Sequence, residues 1–423
     1  MATVDRILDD LPEPVRQMVR QIWDALPSDK QKDLHRVFHA LPSSLKPLKD
    51  ILFSVLDQYK PVFGTKRTIA IVGPANVGKS TLYNQLIPRK EDRAQVGPVP
   101  GTTRDNQVAD TGLFFIVDTP GADAVGAVGE RERQIAFQAA EAADFLVIVF
   151  EAAHGIKQYE RDLFDALAAL DKPFVVLLNK IDSIAKRDRD LVIESAARNL
   201  HLDRSHIIAT VATKGINVEQ VILAIARFEP ELLAAIGAGL PPYRQKLAWQ
   251  RTVSAAGTAG MVALMPLPLA DLIPLIAIQS GLVLSIARVY GFRLTPARAK
   301  ELMATFGMGL TGRTVFQELS KLGGVPGWML SAAIATATTV AIGYGATIWF
   351  AYGESPTRET MYHIVTNVSR HVRERLLSLG HKRPDRGTLR KRLTSTLKDL
   401  PIPLPSRAES ATGKVSPDAE SRP

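Results

Sequence analysis

The stretch IAIVGPANVGKSTL, residues 69–82, decides how this chain is read. It is an apolar run, then a glycine-bounded loop, then the start of a helix. The loop Gly73-Pro74-Ala75-Asn76-Val77-Gly78-Lys79-Ser80, followed by Thr81, fits the phosphate-loop pattern G-x-x-x-x-G-K-[ST]. Gly73 and Gly78 let the backbone turn tightly, so that its N–H groups approach phosphate oxygens with no Cβ in the way. The helix opening near Lys79 aims its positive end at the same phosphates. Lys79 adds a point charge for the β and γ phosphates, and Ser80 offers a hydroxyl to Mg²⁺. A chance match is expected on the order of once or twice in a hundred chains of this length. The strand that the motif requires is supplied by Thr68–Val72.

From Arg67 to about Pro230, strands alternate with helices. The apolar runs are Thr68–Val72, Leu113–Val117, Phe145–Phe150, Phe174–Leu178 and His206–Val211, with helical stretches such as Arg131–Ala143, Tyr159–Ala169 and Leu191–Asn199 between them. This predicts an α/β domain, a parallel sheet covered by helices on both faces, with its ligand at the C-terminal strand ends. Three more motifs follow in order. In Pro100-Gly101-Thr102-Thr103-Arg104-Asp105 a threonine can close over the nucleotide, hydroxyl on Mg²⁺ and N–H on the γ-phosphate; a plain turn reads equally well there. In Asp118-Thr119-Pro120-Gly121, Asp118 can hold Mg²⁺ through water and the Gly121 N–H can sense the γ-phosphate. In Asn179-Lys180-Ile181-Asp182, the Asp182 carboxylate can accept from guanine N1–H and the 2-amino group, a donor pair adenine lacks. Asn179 and Lys180 would brace that loop and cover the ring.

These four motifs resemble those of P-loop GTPases, and within that class the TrmE–Era–EngA-like group, over about 165 residues. The resemblance implies that GTP is bound and hydrolysed to GDP and phosphate with Mg²⁺ as cofactor. It makes Ser80, Thr103 and Asp118 the metal ligands and Lys79, Thr103, Gly121 and Asn76 the catalytic set. Asn76 matches an asparagine that in several relatives helps bind an activating K⁺, a cation that would act as an arginine finger does. Ala122 stands where Ras-like enzymes carry a water-orienting glutamine, so hydrolysis should be slow until a cation, a dimer partner through the GTPase domain or another ligand completes the site. The region Thr210-Val211-Ala212-Thr213-Lys214-Gly215 lacks the usual Ser-Ala pair; Ala212 is the candidate to offer its N–H to guanine O6.

The chain has 423 residues, no cysteine and a net charge of +9, with the basic excess near the C-terminus. That excludes disulfides, cysteine-ligated zinc and a thiol nucleophile. The opening MATVDRILDDLPEP is acidic and has no apolar h-region, so no secretory signal is expected. Four parts are expected: an N-terminal helical segment (1–62), the GTPase domain (63–235), an all-α domain (241–400) and a disordered tail (401–423). The first reads as three short amphipathic helices, either a cap on the next domain or a partner-binding or dimerisation arm.

The all-α part has long uncharged runs, Thr252–Ala270 and Leu272–Ala287 around Asp271, then Leu322–Gly353. They are long enough for bilayer spans, yet rich in Ala, Thr and Gly as closely packed helices are. Membrane association and a buried bundle in a soluble domain both fit, and the lengths favour the first. LMPLPLADLIPLIAIQSGLVLSIARVYG at 264–291 resembles the YcjF-type helical domain of unknown function, which implies membrane association and no catalytic role. From Tyr362 the chain reads as an amphipathic basic helix and then a basic coil, with Arg370, Arg373, Arg375, Lys382, Arg383, Arg386, Arg390, Lys391 and Arg392. That cluster suits anionic lipid, RNA or plain solvation. The expectation is a bacterial-type GTPase switch on the cytoplasmic face of the inner membrane. Its rivals are a cytoplasmic RNA- or ribosome-binding assembly GTPase and a nucleotide-gated membrane scaffold with negligible turnover.

Overall fold

The structure, a computed structural model, describes residues 58–62, 68–86, 114–118 (backbone), 137–138, 140–263, 272–292, 326–378 and 385–398. The helices expected before Gln58, the loops holding Thr103 and Gly121, the turn 264–271, the connector 293–321 and the tail beyond 400 lie outside the described residues. Two compact units are formed, Gly64–Arg244 and a second that joins Met1–Phe63 to Gln245–Pro423.

The first unit holds a five-stranded parallel sheet: β1 (Ile69–Gly73), β2 (Phe114–Asp118), β3 (Phe145–Glu151), β4 (Phe174–Asn179) and β5 (Ile207–Ala209). Its order is β2-β1-β3-β4-β5. β1 is buried throughout and β3 up to its last residue, as near-continuous Val/Ile/Leu runs require when helices cover both faces. Helices α1 (Lys79–Leu86), α2 (Gln158–Ala168), α3 (Arg189–Asn199) and α4 (Val218–Phe228) follow the strands, and α5 (Leu233–Gly239) ends the unit. The chain turns one way from β1 to β2 and the other way to β3. The strand order therefore reverses beside β1, and loops diverge there to open a crevice at the C-terminal strand ends. The loop after β1 is the phosphate loop. β5 is shorter than the expected run His206–Val211. Asp203 accepts from the Ser205 N–H at 2.8 Å and holds Arg204–His206 in a tight turn, while Val211 leaves the ladder to pair with Ile216.

The second unit packs a helical turn at 58–62 with α6 (Arg244–Val262), α7 (Leu272–Val289), α8 (Gly327–Tyr352), α9 (Arg358–Leu377) and α10 (Arg386–Lys398) around one apolar cluster. Small residues set the approach of the helices. A Cβ on Gly343 of α8 would collide with Thr252 of α6, and one on Gly260 with Thr336 of α8 and Leu393 of α10. α8 starts after Pro326 and stops at Gly353, whose φ of +74° is the left-handed cap that glycine takes without strain. The 58–62 turn belongs to this bundle, not to a cap on the GTPase unit. The Tyr59 hydroxyl donates to Ala277 O (2.7 Å), and the Arg288 guanidinium donates to Val62 O (2.9 and 3.1 Å).

α9 packs along α8 through Met361, Val365, Val368, Val372 and Leu376, one stripe at helical spacing, and turns His363, Asn367, Arg370 and Glu374 outward. The expected basic coil after it is a helix at 386–398. Leu389, Leu393 and Leu397 recur every fourth residue among the charges and are buried, which is the periodicity that the basic composition conceals.

Candidate functional site

Register brings the sequence motifs together. Gly73, the first phosphate-loop residue, pairs across the ladder with Asp118 at the end of β2. At the other side Glu151, ending β3, pairs with Asn179, ending β4. The phosphate loop takes the backbone that its glycines permit: φ is +151° at Gly73, +63° at Asn76 and +99° at Gly78. Asn tolerates the left-handed region better than other side chains, which suits Asn76 to its exposed place on the loop. A Cβ at Gly73 would strike the Val149 carbonyl of β3, and one at Gly78 would strike Asn179 Nδ2. Lys79 is buried, and its ammonium donates to Gly73 O (2.7 Å) and Pro74 O (2.6 Å), which holds the positive charge under the loop. Ser80 and Thr81 stand in the first turn of α1, beside Gly78, whose carbonyl accepts from the Leu82 N–H at 2.9 Å.

Asn179 ties three segments together and is 3 % exposed. Its amide donates to Val77 O in the phosphate loop at 2.8 Å. Its carbonyl accepts from the Ala212 N–H at 3.0 Å and from the Thr210 hydroxyl at 3.2 Å. The Ala212 N–H, expected to be offered to a guanine oxygen, is thus spent on Asn179. Lys180 follows in left-handed backbone (φ +60°) and pairs with Glu151 at 2.7 Å, which ties its side chain to the end of β3. Nothing in the motifs marks Glu151; its place at a strand end is the only sequence signal. Asp182 begins the exposed edge of the site. Lys214 donates to its Oδ2 at 2.7 Å, and the ammonium holds the carboxyl below the ordinary aspartate range, so it stays an ionised, acceptor-only group at neutral pH. The side chain of Asp118 and all of Thr103 and Gly121 lie outside the described residues.

Comparison with known proteins agrees with this layout. The model of the family "50S ribosome-binding GTPase" matches residues 68–180, and that of the "Domain of unknown function (DUF697)" matches residues 245–366. GTPase Era of Aquifex aeolicus is 30% identical over 172 residues, 38% of this chain and 56% of Era. GTPase Der of Thermotoga neapolitana is 35% identical over 178 residues, 39% of this chain and 40% of Der. The tRNA modification GTPase MnmE of Thermotoga petrophila is 35% identical over 173 residues, 39% of this chain and 36% of MnmE. The chain thus spans about half or less of the length of these relatives. What they share with it is the first unit: residues 68–180 form a GTPase domain homologous to those of Era, Der and MnmE, and residues 245–366 a DUF697 domain.

Proposed function

We propose that the chain binds GTP with Mg²⁺ and hydrolyses it to GDP and phosphate, working as a switch between nucleotide states. The observation that carries this reading is the Asn179 staple, which locks the phosphate loop to the strand end bearing Asp182. Phosphate and base recognition are thereby set at one fixed spacing. Ser80 lies in the first turn of α1 and Asp118 ends β2 at the same end of the sheet, and a hydroxyl and a carboxylate are hard oxygen donors of the kind Mg²⁺ takes. The ion would neutralise charge on the β and γ phosphates; Thr103 and Gly121 would close over them, and a K⁺ beside Asn76 would add to that charge. Asp182→Asn tests the base. The amide replaces one acceptor oxygen by a donor, so GTP turnover should fall roughly a hundredfold while xanthosine triphosphate, whose edge offers a matching oxygen, gains. An unchanged preference for GTP would remove Asp182 from base recognition.

For the helical unit we read attachment to a membrane surface through its exposed basic residues rather than a bilayer span. α8 is the one helix among the described residues long and apolar enough to cross, but 83% of its most apolar window is buried. Much of that cover is α9, a helix of about 30 Å lying along α8. Arg370 on its outer face would meet acyl chains at a cost of about 3 kcal/mol near mid-bilayer, and the exposed Glu374 would add to it. Arg370, Arg375 and Lys391, all exposed, suit anionic headgroups instead. Membrane pellets washed with alkaline carbonate should lose the protein. Retention would restore the span, and absence from the unwashed pellet would favour the RNA-binding rival.

A further inference from the structure

The loop 210–215, the one motif that departs from the family pattern, is held rigidly against the strand end that carries Asp182. Asn179 Oδ1 accepts from both Thr210 and Ala212, and the Ile181 N–H, one residue before Asp182, donates to Thr210 O at 3.2 Å. The loop also closes on itself. Val211 and Ile216 exchange two backbone hydrogen bonds of 3.2 Å, and Gly215 turns the chain at φ +66°. Lys214 projects from this closed turn and Asp182 from the tight turn Ile181–Ser183, so both ends of their 2.7 Å ion pair stand on fixed backbone.

We propose that Lys214 is a positioning residue for guanine: its ammonium fixes the Asp182 carboxylate in the plane that accepts N1–H and the 2-amino group together. The proposal rests on the guanine reading above. Lys214 does not compete with the base for Asp182. Each carboxylate oxygen has two lone pairs, and the ammonium takes one of those on Oδ2. What it removes is rotation. Asp182 is partly exposed, with 35% of its side chain accessible, and a carboxylate at such a place turns freely unless something holds it. A base that makes one hydrogen bond tolerates a turned carboxylate; a base that makes two does not. The rival account is an ordinary surface ion pair with no bearing on the base, as most exposed pairs are.

Inosine diphosphate separates these accounts, because it keeps N1–H and lacks the 2-amino group. Equilibrium binding of GDP and IDP to the full chain in Mg²⁺ should be compared for the native protein, Lys214→Met, Lys214→Arg and Asp182→Asn. Lys214→Met is expected to weaken GDP about five- to tenfold, the effect of leaving one side chain to be ordered on binding. IDP should weaken by less than about twofold on the same reasoning, so the preference for GDP contracts. Lys214→Arg, which keeps a cation on the loop, should restore most of that preference. Two results overturn the proposal. One is that Lys214→Met binds both nucleotides as the native protein does; the other is that it weakens both equally, which would make Lys214 a general attractor of phosphate. If the native protein itself fails to prefer GDP over IDP, the guanine assignment falls, and this proposal with it. If the native protein prefers GDP and Asp182→Asn abolishes the preference while Lys214→Met keeps it, only the role of Lys214 falls.

Discussion

Asn179→Ala is expected to cut GDP affinity by at least roughly a hundredfold and to destabilise the GTPase unit by about 3–5 kcal/mol. Neither effect needs the side chain to touch nucleotide. The substitution strips a partner from the Val77 carbonyl, the Ala212 N–H and the Thr210 hydroxyl around a buried side chain. Each orphaned buried group costs about 1–3 kcal/mol, and the phosphate loop loses the contact that fixes its height above the sheet. Asn179→Asp separates the two halves of the role. It keeps acceptors for Thr210 and Ala212 but loses the donor to Val77, and sets a carboxylate against a carbonyl. It should release the phosphate loop while sparing the 210–215 turn. GDP titration and thermal unfolding of both variants check this. Binding by Asn179→Ala within about threefold of the native protein would mean that the staple does not govern the site, whatever its geometry.

The phosphate loop was legible in the sequence because its demands are local. Gly73 and Gly78 stand where φ is positive and where a Cβ would meet Val149 or Asn179, so the glycines announce the backbone. Asp118 was legible for a similar reason, since the end of an apolar strand in a parallel sheet must fall at the ligand face. The way Asn179 acts was not legible. Its partners lie 102 and 33 residues away, and only the folded sheet brings Val77 and Ala212 to it. The same holds for Glu151, whose pairing with Lys180 follows from β3–β4 register, and for Lys214, which sits in a loop that the motif pattern fits poorly.

In the helical unit the sequence showed composition more clearly than placement. Uncharged runs rich in Ala, Gly and Thr suit a membrane span and a tight bundle alike, because both need helices that approach closely. Gly343 against Thr252, and Gly260 against Thr336, show that close approach within the fold. Charge also masked periodicity. The nine basic residues read between 370 and 392 drew attention from Leu389, Leu393 and Leu397, which make α10 a packed helix.

Tyr59→Ala should badly damage the helical unit, although the residue precedes the GTPase domain in sequence. Tyr59 is 1% exposed, its ring rests 3.2 Å from the Cβ position of Gly281, and its hydroxyl donates to Ala277 O. Burial pushes its phenol pKa up, so it stays a neutral donor at any pH the protein meets. Truncating a buried aromatic to alanine costs about 3–5 kcal/mol. In a unit of this size that lowers the melting temperature by roughly 10 °C. Tyr59→Phe keeps the ring and should cost only about 1–2 kcal/mol, the share of one buried hydrogen bond. The damage should also spread to the neighbours of Tyr59. Gln58 supplies acceptors to Arg251 at 3.2 and 3.3 Å and to Ser285 at 3.2 Å, and Val62 supplies one to Arg288. Loosening the 58–62 turn therefore exposes charged groups of α6 and α7 to a poorer set of partners. Calorimetry on the full chain reads this directly: the transition of the helical unit should fall in Tyr59→Ala while GDP affinity stays within about twofold, because the phosphate loop and Asn179 lie in the other unit. If Tyr59→Ala melts like the native protein, the turn before the GTPase domain is an ornament on the bundle. If it behaves as expected, the residues just before the GTPase domain are part of the helical unit's core, as the chain order of that unit, Met1–Phe63 with Gln245–Pro423, requires.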